Sequence, residues 1–140
     1  MNIDSIQRGI VLDHIKADRS MDIYRYLHLD ELDCSVAIIK NVKSVEMGRK
    51  DIIKIDEDIS IDLDVLGYID PGITVNIIDN GKVVEKKHVE LPQRLVNVVR
   101  CKNPRCITSD EPSLDHVFRL ADTRRRVYRC IYCDAERHKG

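Results

Sequence analysis

The sequence predicts an α+β protein in two units. The first is a ferredoxin-like antiparallel sheet with two helices on one face and an added strand, and the second is a small all-β unit. Three observations carry this. Short β-rich runs alternate with helical patterning in the order β-α-β-β-α-β-β through residue 91. Through Val96 the chain has 13 Lys and Arg against 18 Asp and Glu, and from Asn97 it has 10 against 6, so an acidic part precedes a basic one. Four of the five cysteines fall in two close pairs, "CKNPRC" at 101–106 and "CIYC" at 130–133.

"RGIVLDHI" (8–15) predicts the first strand. In "DRSMDIYRYLHL", Met21, Tyr24, Leu27 and His28 recur at helical spacing and predict a helix over 19–29. "CSVAIIKNV" (34–42) reads as a strand, with Cys34 a buried strand thiol or, alternatively, a reactive nucleophile. A loop at 44–50 contains Gly48, and "KDIIKID" (50–56) is the next strand. Ser60 is placed to cap a helix through "IDLDVLGYI", and "DPG" (70–72) is a turn. "ITVNIID" and "KVVEKKHVEL" flank Asn80-Gly81, a two-residue hairpin signal. "ELPQRL", with Pro92, connects a front domain (1–93) to a back domain (97–140), in which "DHVFRLADT" and "RRRVYRC" are strands.

The 140 residues are 34% charged and 43% apolar, with five Tyr, one Phe and no Trp, so any core rests on Ile, Val and Leu. The near-neutral total excludes the whole chain as a polyanion binder. "MNIDSIQRGI" lacks the basic start and apolar run of a secretory leader, and no apolar run approaches the ~18 residues of a membrane span. The expected location is cytoplasmic, where paired cysteines more often hold metal than form disulfides.

The spacing C-x4-C-x23-C-x2-C matches a closed four-thiolate zinc site at Cys101, Cys106, Cys130 and Cys133, in preference to two disulfides or unrelated thiols. Four sulfur ligands leave no open position for water or substrate, so the metal is structural. A short segment with one Phe needs such a staple. No G-x-G-x-x-G, G-K-[ST], H-E-x-x-H or G-x-S-x-G occurs, so any nucleotide site must use strand side chains. A period of two puts Lys50, Ile52, Lys54 and Asp56 on one face and Asp51, Ile53 and Ile55 on the other. Likewise Thr74, Asn76 and Ile78 share a face opposite Ile73, Val75 and Ile77. Simple pairing around Asn80-Gly81 puts Lys86 on the face of Val84 and not of Thr74. By themselves these patterns also describe solvated sheet faces and, at Lys86 and Lys87, a charged edge strand. "RRRVYR" (124–129) suits nucleic acid or a protein partner.

"RGIVLDHI", "EMGRKDIIKI", "TVNIIDN", "LVNVVRCKNPRCI" and "YRCIYCDAE", in order along nearly the whole chain, closely resemble the regulatory chain of aspartate carbamoyltransferase. The resemblance implies a non-catalytic subunit in pyrimidine biosynthesis. Its front domain would bind nucleoside triphosphates (CTP, UTP or ATP), and its zinc domain would grip the catalytic chain. It further implies pairing with itself in a regulatory dimer, the linking of catalytic trimers, and no membrane or nucleic-acid partner. By the same resemblance Asp13, His14 and Lys54 lie near ribose and phosphate and Lys86 meets the triphosphate. Ile6, Thr74, Asn76 and Ile78 fall at the base pocket, with Val83 close by. Gly81 stands where a known family member carries a tyrosine. The competing reading is a zinc-ribbon nucleic-acid-binding module; an enzyme using Cys34 or His14 lacks an identifiable partner residue.

Overall fold

The computed structural model describes residues 6–138 and divides into two compact units, Met1–Glu90 and Leu91–Gly140. The first five residues, on which the reading of the amino terminus depends, lie outside the described residues.

The first unit contains β1 (Arg8–Lys16), α1 (Ser20–Tyr26), β2 (Val36–Ser44), β3 (Gly48–Ile55), α2 (Leu63–Ile69), β4 (Thr74–Asp79) and β5 (Lys82–His88). The strands form one antiparallel sheet in the order β2-β3-β1-β4-β5. This is the expected ferredoxin-like arrangement with an extra strand. Alternation drives it: Ile10, Leu12, Ile53, Ile55 and Val75 are buried together with Ile23 of α1 and Leu66 and Ile69 of α2. Tyr26 and Tyr68 meet edge to face, centroids 6.3 Å apart, and tie the two helices.

Several elements differ from their sequence-based bounds. The first helix stops at Tyr26, because His28 adopts a left-handed backbone (φ 54°) and opens a short 3₁₀ turn over Leu29–Glu31. Asp62, not Ser60, caps α2, its carboxylate accepting from the N–H groups of Asp64 and Val65. The loop expected over 44–50 shrinks to Val45–Met47, since Ser44 already faces Gly48 across the hairpin. Cys34 precedes β2 and is half-buried, so it is not a core strand thiol. Burial and the neighbouring Glu57 push its thiol up, which argues against a nucleophile.

Both strands flanking β3 carry one extra residue beside the same point. In β1, Leu12 faces Ile53 and Ile15 faces Asp51; in β2, Ile39 faces Ile52 and Val42 faces Lys50. Such bulges leave ladder N–H groups unpaired. Asp51, completely buried, takes up one of them: its Oδ1 accepts from Asn41 N at 3.0 Å. Its Oδ2 accepts from Ser20 Oγ (2.6 Å), Asp18 N (3.1 Å) and Ser20 N (3.4 Å), at the start of α1.

The second unit contains β6 (Arg94–Val96), a single helical turn α3 (Ile107–Asp110), β7 (Val117–Asp122), β8 (Val127–Cys130) and β9 (Glu136–His138). Its sheet is antiparallel in the order β6-β7-β8-β9. Phe118 and Tyr128 are its largest fully buried side chains, packed in a core with Leu95, Val99 and Val127. The residues before β6 already belong here: Tyr128 donates its hydroxyl to Pro92 O at 2.6 Å, and Leu120 N donates to Gln93 O at 2.9 Å.

Burial pushes the Asp51 carboxyl up, but the Ser20 hydroxyl and the N–H groups of Asn41, Ser20 and Asp18 hold it below its ordinary 3.8. A depressed folded-state value gives stability that is present above pH 3.8 and lost as pH falls through that lower value. Asp51→Asn should therefore cost about 2–3 kcal/mol at pH 7, the worth of hydrogen bonds to a charged group. Denaturant titrations at stepped pH should show the gap between the two proteins narrowing below pH 3.8.

Candidate functional site

The sheet face away from the helices carries three rows of side chains, roughly 7 Å apart along the strands. The middle row is Lys54, Val11, Asn76 and Lys86, directly opposed on β3, β1, β4 and β5. On one side of it lie Gly9, Ile78 and Val83, and on the other Asp13 and Thr74. Lys86 is thus on the face of Thr74 and Asn76, contrary to simple hairpin pairing. The reason is a third bulge: Ile78 faces Val83 but Ile77 faces Glu85, so Val84 is an extra residue and the phase of β5 slips by one.

The bulge in β1 acts in the same way on Asp13 and His14. Strict alternation would put them on opposite faces. Instead the backbone turns left-handed at His14 (φ 58°), His14 N donates to Asp13 Oδ1 (2.6 Å), and the ring Nδ1 lies 3.0 Å from Thr74 Oγ1. Lys50 Nζ stands 3.0 Å from Asp13 Oδ1, both side chains largely covered. Burial pushes the Asp13 carboxyl up, but Lys50 and the His14 N–H together hold it below the usual range. Lys50, which the sequence places on one strand face with Lys54, is paired to a carboxylate and sets its orientation.

The row of Gly9, Ile78 and Val83 is apolar. A Cβ at Gly9 would fall 2.1 Å from Ile55 O, so only glycine admits the backbone of β3 here, and the buried Ile6 side chain packs beside it, its Cγ2 3.0 Å from the same point. An isolated glycine inside a strand was the available signal for this close approach. All nine candidate residues of the first unit (Ile6, Asp13, His14, Lys54, Thr74, Asn76, Ile78, Val83 and Lys86) accordingly belong to this one face. It offers a cationic side next to an apolar one.

In the second unit the sulfurs of Cys101, Cys106, Cys130 and Cys133 all lie within 4.8 Å of one another. Cys101 and Cys133 are 3.5 Å apart and Cys106 and Cys130 3.7 Å, too far for disulfides. Four ligands about 2.3 Å from a tetrahedral zinc sit about 3.8 Å from each other, so the donor set fits one zinc ion. Each pair forms a knuckle. Asn103 O accepts from Cys106 N at 3.0 Å in the first, and Cys130 O accepts from Asp134 N at 2.9 Å in the second. Outside the ligands, Thr108 Oγ1 donates to Cys106 Sγ (3.1 Å) and His116 Nδ1 accepts from Cys101 N (3.2 Å), contacts that no spacing rule reveals. Burial pushes the Cys101 thiol up to about 12, while Asn103 and the N–H of Ala135 outweigh burial and pull Cys133 down to about 7. Four adjacent thiolates require a cation in place of the protons.

The arginine run is divided. Arg124, Arg125 and Arg126 are exposed, whereas Arg129 pairs with Glu136 and, at 3.6 Å, with Asp134. Tyr128 is buried in the core. No aromatic face of this run is free to stack on a base, which weighs against the nucleic-acid reading.

Fold and site define a two-unit metalloprotein, a small α+β domain with a charged open sheet face joined to a four-cysteine β domain. The family model described as the aspartate carbamoyltransferase regulatory chain, allosteric domain, matches residues 1–90, and that of the same chain's metal-binding domain matches 93–139. Similar proteins named aspartate carbamoyltransferase regulatory chain include one from Clostridium tetani, 52% identical over 96% of this chain and 94% of its own. Another, from Bifidobacterium longum, is 46% identical over 97% and 98%. The chain belongs to the family of aspartate carbamoyltransferase regulatory chains, which are non-catalytic subunits. Among the described residues no helix is long and apolar enough to cross a membrane.

Cys130→Ser should unfold the second unit, because structural zinc supplies on the order of 10 kcal/mol to such a domain. The first unit, with its own core, should keep its sheet. Amide hydrogen exchange resolved by segment checks both, and metal analysis should find one zinc per wild-type chain and none in the variant.

Proposed function

We propose that the open sheet face of the first unit binds nucleoside triphosphates as allosteric effectors, with Asp13, His14, Lys54 and Lys86 at ribose and phosphates and Ile6, Thr74, Asn76, Ile78 and Val83 at the base. One observation carries this reading: the bulge at Val84 sets Lys86 in line with Asn76 and Lys54, beside an apolar row. Phosphates need cations and a planar base needs an apolar floor, and the two lie side by side. Hydrogen bonds to charged groups are worth roughly 1.5–3 kcal/mol each. Lys86→Ala, Lys54→Ala and His14→Ala should therefore each weaken CTP and ATP by about tenfold or more in isothermal titration. Unchanged affinity in all three would refute the site.

The second unit, in this reading, holds zinc through Cys101, Cys106, Cys130 and Cys133 and docks on the catalytic chain of aspartate carbamoyltransferase, linking catalytic trimers in the cytoplasm. Exposed Ile107 beside one knuckle and Ile131 and Tyr132 within the other support a docking surface next to the metal. Self-association through the first unit is supported by its two sheet edges. β5 bears Lys82, Lys86 and Lys87, which discourage pairing, while β2 offers Val36, Ile38 and Val42 and is followed by the fully exposed Val45. A mercurial that captures the four thiolates should release catalytic trimers that are active but no longer respond to nucleotides. Gel filtration with aspartate saturation curves, with and without CTP, checks this. Zinc-free chain that still assembled and still conferred nucleotide control would overturn the docking role.

A further inference from the structure

The apolar end of the sheet face has a floor but needs something to read the rim of a planar ring. Ile6, Gly9, Ile78 and Val83 supply van der Waals surface and no side-chain hydrogen bond. The side chain that reaches the hairpin turn beside them is Gln7. Its Nε2 and Oε1 both lie 3.5 Å from where a Cβ on Gly81 would be, and its Cδ lies 3.8 Å away. Gly81 has φ +73°, a conformation that disfavours a side chain, so this space is left to the glutamine. The backbone of Gln7 is fastened to the same turn, its carbonyl accepting from Gly81 N at 3.0 Å. The side chain is exposed, and its amide makes no hydrogen bond among the described residues.

We propose that the Gln7 side-chain amide reads the hydrogen-bonding edge of the nucleobase, and that it accepts ring carbonyls and exocyclic amines alike. This rests on the nucleotide reading of the sheet face. An amide carries an acceptor and two donors on one planar group, and a half-turn about its last bond exchanges them. Among the described residues the exposed amide has no side-chain partner that holds it against that turn. Cytosine and uracil have the same outline and exchange donor and acceptor at two adjacent edge positions, the ring nitrogen and the exocyclic group, and a half-turn of the amide matches that exchange, so the site tells them apart weakly. A side chain that could only accept would meet one of the two positions on either base and leave the other unpaired.

Isothermal titration of the full zinc-loaded chain with CTP, UTP and inorganic tripolyphosphate tests this. Wild-type protein should bind CTP and UTP within about threefold of each other and both more tightly than tripolyphosphate. Gln7→Ala should weaken both nucleotides by about fivefold and leave tripolyphosphate unchanged, because the lost contact is to the base. Gln7 is exposed, so the change does not disturb the core. The inference is overturned if Gln7→Ala leaves nucleotide affinity unchanged or weakens tripolyphosphate equally, or if wild-type CTP and UTP affinities differ by more than about tenfold. Wild-type protein that binds tripolyphosphate as tightly as nucleotides overturns it too while leaving an anion site. Wild-type protein that binds none of the three overturns the nucleotide reading itself.

Discussion

The buried carboxylate of Asp51 is the interaction on which the first unit depends. It sits in β3 where both neighbouring strands carry an extra residue, and it supplies the acceptor that the β2 ladder lacks at Asn41. The same carboxylate holds Asp18 and Ser20 where the chain leaves β1 for α1. Its sequence neighbour Lys50 points to the opposite face and holds Asp13. Two consecutive residues of one strand therefore pin the helical layer on one side and orient the charged face on the other. The charged face is built around this pair: the bulge that turns both Asp13 and His14 outward lies across from Ile52, the residue after Asp51.

The second unit solves a different problem. Its fifty residues contain the chain's one Phe and rely on Phe118 and Tyr128 for bulk. A core that small returns little more than the entropy lost on ordering it. The four sulfurs bring the segment at 101–106 together with the turn between β8 and β9, so a shared metal ion would tie the two knuckles to each other. A stiff surface loses little freedom on meeting a partner, which suits a unit whose exposed apolar residues cluster at the knuckles.

Much of this was legible in the sequence because it follows from periodicity and spacing. The faces of β3 follow strict alternation, with Asp51, Ile53 and Ile55 buried and Lys54 outside. The Asn80-Gly81 turn has both residues at positive φ, as its composition requires. The cysteine spacing pointed to a cluster that the fold does assemble. What escaped were departures from alternation. The bulges at Asp13–His14, Lys40–Asn41 and Val84 leave no compositional mark, since a bulge is defined by the partner strand and not by the residue inserted. The face of Lys86 was misread for that reason alone, and Asp62 displaced Ser60 as helix cap because the chain enters α2 two residues later. Gln7 was invisible because its importance comes from an absent side chain at Gly81, far along the chain.

The extra residue in β5 bears on how such a chain can vary over evolutionary time. Val84 is largely exposed and faces no residue on β4, so its identity is nearly free. Its presence is a matter of register alone: with Val84 deleted, Glu85 would still face Ile77 and Lys86 would still face Asn76, now in a regular ladder. The bulge therefore absorbs a residue without moving the lysine, and alignments of related chains should tolerate at this column many amino acids and a one-residue gap alike.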